Sequence, residues 1–275
     1  MMIRQQQPKR GQMLLYALLL VAVVGCMVTL SKCDKPRAGQ ARAAGVASGG
    51  DTIDVAIEYS PVTYYTYDDT LGGYNYDLLR AISSVAGRPF KFHPIVSLDK
   101  GLAGIEQGIY DVLVAQFPLT SRNRDRYAFT RPIYIDQQVL VQRAVGAVHS
   151  QLDLAGDTLV VVKGSPMVER VHSLSREIGD TIYIRVDDTY GPEQLMMQVA
   201  AGEIRYAVVN KSIARYLDRR LPGVDVSVDI SMSQFQSWLL RKDNLALRDS
   251  LDAWHATVKR DHKALYDNLQ RRYFR

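Results

Sequence analysis

The chain has 275 residues, 47% of them hydrophobic and 23% charged, which excludes a disordered polypeptide and leaves room for one or two domains. Its formal charge is +5, yet residues 1–50 alone carry +6 (Arg4, Lys9, Arg10, Lys32, Lys35, Arg37 and Arg42 against Asp34). Residues 51–275 therefore stand at −1, which excludes a broad polyanion-binding face and with it a nucleic-acid partner. Both cysteines, Cys26 and Cys33, also fall in the first fifty residues, so the remainder contains no disulfide, cysteine-ligated metal or thiol nucleophile.

From Met13 to Leu30 the chain runs eighteen residues without a charge, between Arg4, Lys9 and Arg10 on one side and Lys32, Lys35 and Arg37 on the other. At about 1.5 Å of rise per residue a helix here spans ~27 Å, enough to cross the hydrocarbon layer of a bilayer. A cleaved secretory signal has a shorter apolar core and a small-x-small cut site, whereas this core stays apolar through Leu30. Residues 1–33 are therefore expected to be an uncleaved signal anchor. The alternatives are a lipoprotein signal, with Cys26 lipidated after Val-Val-Gly, and a secreted form. The expected membrane contact is residues 13–30, with the folded part in the periplasm or extracytoplasmic space of the cell envelope. Residues 34–50 contain no aromatic or large aliphatic side chain except Val46 and read as a flexible tether, on the order of 20 Å in span.

Beyond Asp51, short apolar runs alternate with helical periodicities. Thr52 to Glu58 reads as a strand, and Leu78, Leu79, Ile82 and Val85 then mark one face of a helix that Gly87 stops. Phe90 to Ile95 is the next strand, Leu98, Leu102 and Ile105 the next helix stripe, and Asp111 to Ala115 another strand. Gln137 to Gln142 and Leu159 to Lys163 read as strands. Met167, Val171, Leu174 and Ile178 step by four, three and four residues along a helix that Gly179 stops. Thr181 to Arg185, Tyr206 to Val209 and Val224 to Ile230 are strands, with a helix ending at Gly202 between the first two. A last strand, Gln236 to Arg241, precedes two helices marked by Leu247, Leu251, Trp254 and Val258, and by Leu265, Leu269 and Tyr273. Strands alternating with helices make the fold class α/β. Leu102 to Ala115 and Met197 to Asn210 share one pattern (helix, glycine, two residues, a charge, an apolar strand), which points to two similar lobes.

No GxSxG elbow, HExxH, Walker loop or GxGxxG occurs, so no catalytic residue, cofactor or metal is expected. His172 lies near a helix's apolar stripe and His255 beside Trp254, which favours surface and packing roles over ligation. An enzyme on such a fold needs a buried acid and base; Glu58 and Asp111 are the only candidates, and Asp111 is placed to cap a strand start. Binding features are stronger. Lys163-Gly164-Ser165-Pro166 ends a strand and opens a helix, which puts Ser165 at the N-cap and Pro166 at the first helical position. Free backbone N–H groups and the helix dipole there suit an anion, although an ordinary capped helix gives the same pattern. After Ala115 the chain reads QFPLTSRNRDRYAFTRPIY, placing Thr120 beside Arg122, Asn123, Arg124 and Arg126. A guanidinium there suits a carboxylate, and alternating arginines equally suit a solvated turn. Tyr59 and Tyr64 lie beyond the carboxyl end of the first strand, where an α/β sheet meets its ligand, with core packing of one of the nearby tyrosines as the alternative.

These segments resemble the family 3 extracellular solute-binding proteins, the amino-acid-binding receptors of bacterial ABC transporters. The resemblance runs from Asp51 to Arg275 and is carried by GYNYDLLRAISSVAG (Gly73 to Gly87), GIYDVLVA (Gly108 to Ala115), the stretch from Thr120 to Tyr134, KGS (Lys163 to Ser165), GEIRYAVVN (Gly202 to Asn210) and WLLRKDNLALRDSLDAW (Trp238 to Trp254). It is nearest in flavour to the non-catalytic sensor domain of a membrane-bound lytic transglycosylase. The chain ends at Tyr273-Phe274-Arg275, where such an enzyme continues into its catalytic domain, so transglycosylase activity is expected to be absent. The resemblance implies a periplasmic-binding-protein-like fold with two α/β lobes, a hinge and an inter-lobe cleft. Lobe one is expected at 51–136 plus 234–275 and lobe two at 137–233, with hinges at Tyr134 to Gln138 and Ser231 to Gln236.

In family members that bind free amino acids, an arginine three residues after the threonine and six before the phenylalanine clamps the α-carboxylate. Counted from Thr120 and Phe129, that place is Asn123. An acidic residue eight positions after the later motif's glycine receives the α-ammonium; counted from Gly202, that place is Asn210. Charge-assisted hydrogen bonds are roughly twice as strong as neutral ones, so two amides disfavour a free amino acid unless Arg122 or Arg124 supplies the guanidinium. A peptide or cell-wall fragment with its ammonium blocked suits them better. The implied function is a membrane-tethered binding or sensing module, not an enzyme. Tyr59, Tyr64, Ala115, Thr120 and an arginine of one lobe would meet a small ligand together with Gly164, Ser165 and Asn210 of the other. An ABC permease or a cell-wall enzyme is the implied partner. A scaffold that binds a protein and has lost solute binding, and a dehydratase-like enzyme on the same fold, are the alternatives.

Overall fold

The computed structural model describes residues 52–68, 70–117 and 121–274, apart from the side chains of Ser121 and Arg122. All of them belong to one compact unit, Gly45–Arg275. The expected membrane segment, the tether and Thr120 lie outside the described residues. Among those described, no helix is long and apolar enough to cross a membrane.

In chain order the strands are β1 (Ile53–Glu58), β2 (Tyr65–Tyr67), β3 (Thr70–Gly72), β4 (Phe90–Ile95), β5 (Val112–Val114), β6 (Tyr127–Phe129), β7 (Tyr134–Asp136), β8 (Gln138–Arg143), β9 (Thr158–Val162), β10 (Tyr183–Asp187), β11 (Ala207–Asn210), β12 (Val224–Asp225), β13 (Gln234–Gln236) and β14 (Leu239–Arg241). The helices are α1 (Tyr74–Ala86), α2 (Leu98–Glu106), α3 (Ser121–Arg126), α4 (Met167–Ile178), α5 (Pro192–Ala201), α6 (Lys211–Asp218), α7 (Leu245–Asp261) and α8 (Lys263–Phe274).

Two five-stranded sheets carry the fold. The first has the order β4-β1-β5-β14-β6 and the second β10-β9-β11-β8-β12. Their directions correspond strand for strand. β1 runs parallel to β4 and β5, as β9 does to β10 and β11, and the fourth strand of each sheet, β14 or β8, pairs antiparallel to the third. Buried parallel strands need apolar side chains on both faces, and Val55, Ala56 and Ile57 of β1 are fully buried, as are Leu159 and Val161 of β9. The two sheets are joined by the antiparallel ribbon of β7 and β13, with Tyr134 opposite Gln236, Ile135 opposite Phe235 and Asp136 opposite Gln234.

The helix stripes bury as their periodicity requires. Leu78, Leu79 and Ile82 of α1 are fully enclosed against β1 and β5, each worth roughly 1.5–3 kcal/mol of burial. Val171 and Leu174 of α4 close the second sheet in the same way. Gly87, Gly179 and Gly202 each end a helix in the left-handed conformation. Gly73 starts α1 at φ 125°, and a Cβ there would stand 2.3 Å from the Thr63 carbonyl oxygen, so only glycine fits.

Several elements differ from the sequence expectation. The stretch Gln236 to Arg241 is two strands in two sheets, separated by Ser237 and the buried Trp238. Apolar runs do not record a change of sheet. Val224 to Ile230 forms only the two-residue β12 and a bridge from Asp229 to Val139. The arginine-rich stretch is not an open turn; Ser121–Arg126 winds into α3. In α8 the buried positions are Tyr266 and Leu269, while Leu265 faces solvent at 45% exposure.

Candidate functional site

The groups beyond the carboxyl ends of the parallel strands come from distant parts of the chain. At the end of β1 stand Glu58 and Tyr59; beyond β5, Ala115 and Gln116; beyond β9, Lys163 to Ser165; and at the end of β11, Asn210, with Ser212 two residues on. Ligands of open α/β sheets sit outside such carboxyl ends.

The aromatic pair resolves into two roles. Tyr64 is buried at the edge of the core, its ring 6.3 Å from Tyr59 and 5.3 Å from Tyr76, both edge-on. Tyr59 is 39% exposed and keeps a face toward solvent. A tight loop holds both, since Ser60 and Tyr64 exchange backbone hydrogen bonds of 2.9 and 3.1 Å and the Thr63 N–H donates to Ser60 Oγ.

Ala115 packs in the core beside Ala56 and Leu113, and its carbonyl accepts from the Phe117 N–H. The side chain that reaches across is its neighbour, Gln116. Its backbone N–H donates to Glu58 Oε2 at 3.0 Å, and its Nε2 donates to Ser212 Oγ at 2.7 Å, from the first sheet to the helix that follows β11. Ser212 in turn donates to Asp136 Oδ2, and Asp136 Oδ1 accepts from the Gln137 N–H at 2.8 Å and the Ser212 N–H at 3.2 Å. Gln116, Ser212 and Asp136 escape a reading of the chain because they lie 76 and 96 residues apart. The only available signal was a polar residue directly after an apolar strand.

Asn210 is almost fully buried, and its Nδ2 donates to Asp136 Oδ2 at 3.4 Å. The Asn210 amide is thus turned toward the carboxylate of Asp136 on β7. Burial pushes the Asp136 carboxyl above its ordinary range, against the pull of its hydrogen bonds from Ser212, Gln137 and Asn210. Glu58 as a whole keeps some solvent contact, but its carboxyl is enclosed by protein; burial pushes it up to about 7, against the hydrogen bond from Gln116. The Tyr134 phenol is held well above its usual value by burial, then by the charges of Asp136 and Glu58. Gln116 and Asn75 lie near its hydroxyl, but no hydrogen bond of normal geometry reaches it.

On the second sheet, Ser165 is not the N-cap. α4 starts at Met167 with Pro166 in the capping position, because proline's fixed φ, here −70°, already suits the helix and its missing N–H costs nothing there. Ser165 Oγ is left buried without a hydrogen-bond partner among the described residues. Gly164 adopts φ 77°, and a Cβ on it would lie 3.1 Å from the Asp99 backbone N–H nitrogen, so this turn and the start of α2 touch. Lys163 Nζ adds a 3.4 Å ion pair to Asp99. Of the arginine stretch, Asn123 is half-buried and Arg124 exposed on α3, the latter lending its carbonyl to Lys242 Nζ. The Arg122 side chain and Thr120 lie outside the described residues. Asp111 stands apart from the cleft, accepting the Asp54 N–H at 2.9 Å between β5 and β1. His255 is packed between Trp238 and Tyr266, its imidazole pushed down to about 4 by burial and then by Lys259.

Residues 52–275 match the model of the bacterial extracellular solute-binding proteins, family 3. The chain belongs to that family. Similar family relatives include the "Membrane-bound lytic murein transglycosylase F" of Shewanella pealeana, 24% identical over 222 residues (80% of this chain, 46% of the relative), and that of Desulfosudis oleivorans, 25% identical over 224 residues (81% and 48%). The chain spans about half the length of the curated relatives it matches. Among solved structures, "An ancestral arginine-binding protein bound to arginine" superimposes with a TM-score of 0.72 at 20% identity, over 82% of this chain and 99% of that one. The GluR0 ligand-binding core of Nostoc punctiforme in complex with (L)-glutamate does so at 0.67 and 18%, over 81% and 99%. These likenesses give the solute-binding-protein family 3 chain its fold: two sheet-containing α/β lobes of the periplasmic-binding-protein type. Family and fold are those of a ligand-binding domain, and the family name and membrane-bound relatives point to the cell envelope.

Proposed function

We propose that this family 3 member is an extracytoplasmic binding or sensing module whose two lobes close on a small amino-acid-like or peptide ligand. The observation that carries the reading is the set of polar groups left over where the lobes approach. Gln116 Oε1, the Tyr134 hydroxyl and Ser165 Oγ are buried and lack a protein hydrogen-bond partner among the described residues. Buried polar atoms of native proteins find partners, so Gln116 Oε1 and Ser165 Oγ, beyond the ends of β5 and β9, are groups that a ligand between the lobes can satisfy. Tyr59 offers an open aromatic face beside them, and Glu58 a carboxyl balanced between its two protonation states near neutrality.

The ligand that suits this set lacks a free α-ammonium. Asn210 stands where related receptors carry an acid, and its amide is engaged with Asp136. Glu58, largely protonated below neutrality, donates to a carbonyl or amide oxygen rather than pairing with a cation. An N-acylated peptide or a cell-wall peptide fragment has that chemistry, and a cell-wall enzyme or an ABC permease is the fitting partner at the envelope. Calorimetry separates the readings: an N-acetylated muramyl-type peptide is expected to bind and the unmodified amino acids to bind at least tenfold more weakly. Micromolar binding of a free amino acid, or none of any peptide, refutes the ligand class.

A further inference from the structure

A groove of ≈ 1070 Å³ lies at the hinge, between α6 and the end of α8, and shares only hinge and α6 residues with the cleft just described; none of Tyr59, Gln116, Ser165 or Asn210 lines it. Its wall along α6 and the residues just after it is mostly cationic, with Lys211, Arg215, Arg219 and Arg220 beside one acid, Asp218. Lys211, Arg215 and Arg219 recur every fourth residue and so stand on one face, and Arg272 of α8 faces them from the opposite wall. Lys211 is paired with Asp229 at 2.8 Å, but Arg215 and Arg219 make no ion pair or hydrogen bond among the described residues. Like charges one turn apart repel by roughly 0.2–0.5 kcal/mol per pair, so this stripe is a cost to the chain until an anion neutralises it. The floor is apolar: Ile135 and Phe235, paired across the ribbon, are 60% and 54% exposed, beside the rings of Tyr216 and Phe274.

We propose that this groove is a second ligand site, for a short acidic peptide carrying an apolar or aromatic side chain. A lone inorganic anion would satisfy the arginines but leave the apolar floor in water, and an uncharged apolar ligand would leave the arginines unneutralised. The size falls at the upper end of small-ligand sites, which run to about 1,000 Å³. A nucleic acid is disfavoured by the net charge of −1 over residues 51–275. The site joins both lobes, since α6 packs on the second sheet and α8 on the helices α1 and α7 of the first lobe.

Calorimetry on the full chain with the tripeptide acetyl-Glu-Phe-Glu tests it, with acetyl-Gln-Phe-Gln-amide as control. Binding of the acidic peptide is expected, together with at least tenfold weaker binding in an Arg215→Glu/Arg219→Glu variant and a steep loss with added salt. Arg272→Glu probes the other wall and is expected to weaken binding too; because it also breaks the 3.8 Å pair of Arg272 with Asp77, circular dichroism checks that each variant keeps the fold. No binding of the acidic peptide, equal binding of the uncharged control, or association only with phosphatidylglycerol vesicles overturns the proposal. Peptide affinity that survives all these charge reversals overturns it as well. Because Ser165 lies outside the groove, Ser165→Ala is expected to leave tripeptide binding unchanged, which separates this site from the cleft.

Discussion

Replacing Glu58 by glutamine isolates a carboxyl at the end of β1 that is poised near neutrality. Its folded value of about 7 stands above the ordinary 4.5, and burial is the cause. Below about pH 4.5 the carboxyl is protonated in folded and unfolded chains alike, and its burial costs little. As pH rises from 4.5 to 7 the unfolded chain ionises while the folded one must hold its proton, so stability falls across that window and then levels off. At 1.36 kcal/mol per unit the full shift corresponds to roughly 3 kcal/mol, and the side chain's residual solvent contact trims it to about 1–3 kcal/mol. Glutamine keeps an oxygen to accept the Gln116 N–H and loses only the titration. Urea unfolding of both proteins at pH 4, 6 and 8 reads the effect. Glu58→Gln is expected to match the parent at pH 4 and exceed it by about 1–3 kcal/mol at pH 8. Taking the difference cancels other groups, notably His255, whose lowered value destabilises the fold as pH falls from 6.5 toward about 4. Parallel curves for the two proteins refute the reasoning, because they mean that the carboxyl is equally solvated in both states.

Three further outcomes follow from the packing. Gly73→Ala forces a Cβ to within 2.3 Å of backbone and a side chain into φ 125°, so it is expected to cost at least about 2 kcal/mol and to cut the yield of folded protein, measured by thermal unfolding. Trp238→Phe removes the indole N–H that donates to Asn75 Oδ1 at 2.9 Å and leaves that oxygen buried and unpaired, an expected loss of roughly 1–3 kcal/mol that Asn75→Ala made on top should not add to in full. His255→Phe is expected to flatten the acid side of the stability profile between pH 6.5 and 4 while changing stability little at pH 8, as denaturant titrations at each pH would show.

What the chain discloses and what it hides divide along burial. Parallel strands and amphipathic helices must place apolar residues at fixed intervals, so β1, β4, β5 and α4 are readable to within a residue or two from the periods alone. The site obeys no period. Tyr59 and Ser165 are visible because they sit next to strand ends, but Gln116 acts through Ser212 and Asp136, which only folding brings near. Neighbourhood in sequence does not give side-chain direction: Ala115 stands at the strand end with its methyl in the core, and Ser165 precedes a helix that Pro166, not Ser165, caps.

The two lobes show how a weak pattern becomes a strong one. Helix, glycine, two residues, a charged residue and a strand occur at Leu102 to Ala115 and again at Met197 to Asn210, a spacing any helix-to-strand connection favours. In the fold both glycines, Gly108 and Gly202, are left-handed at φ 71° and 79°, and both lead into the third strand of their sheet, β5 and β11. The strand after each hinge segment, β8 or β14, then enters antiparallel beside that third strand, so two sheets of the same order are built from chain that crosses between them twice. The second residue after each third strand consequently meets its counterpart from the other sheet. Gln116 and Ser212, joined by a 2.7 Å hydrogen bond, are thus brought together by the repeat itself, because matching sheets related through one ribbon must present matching strand ends to one another.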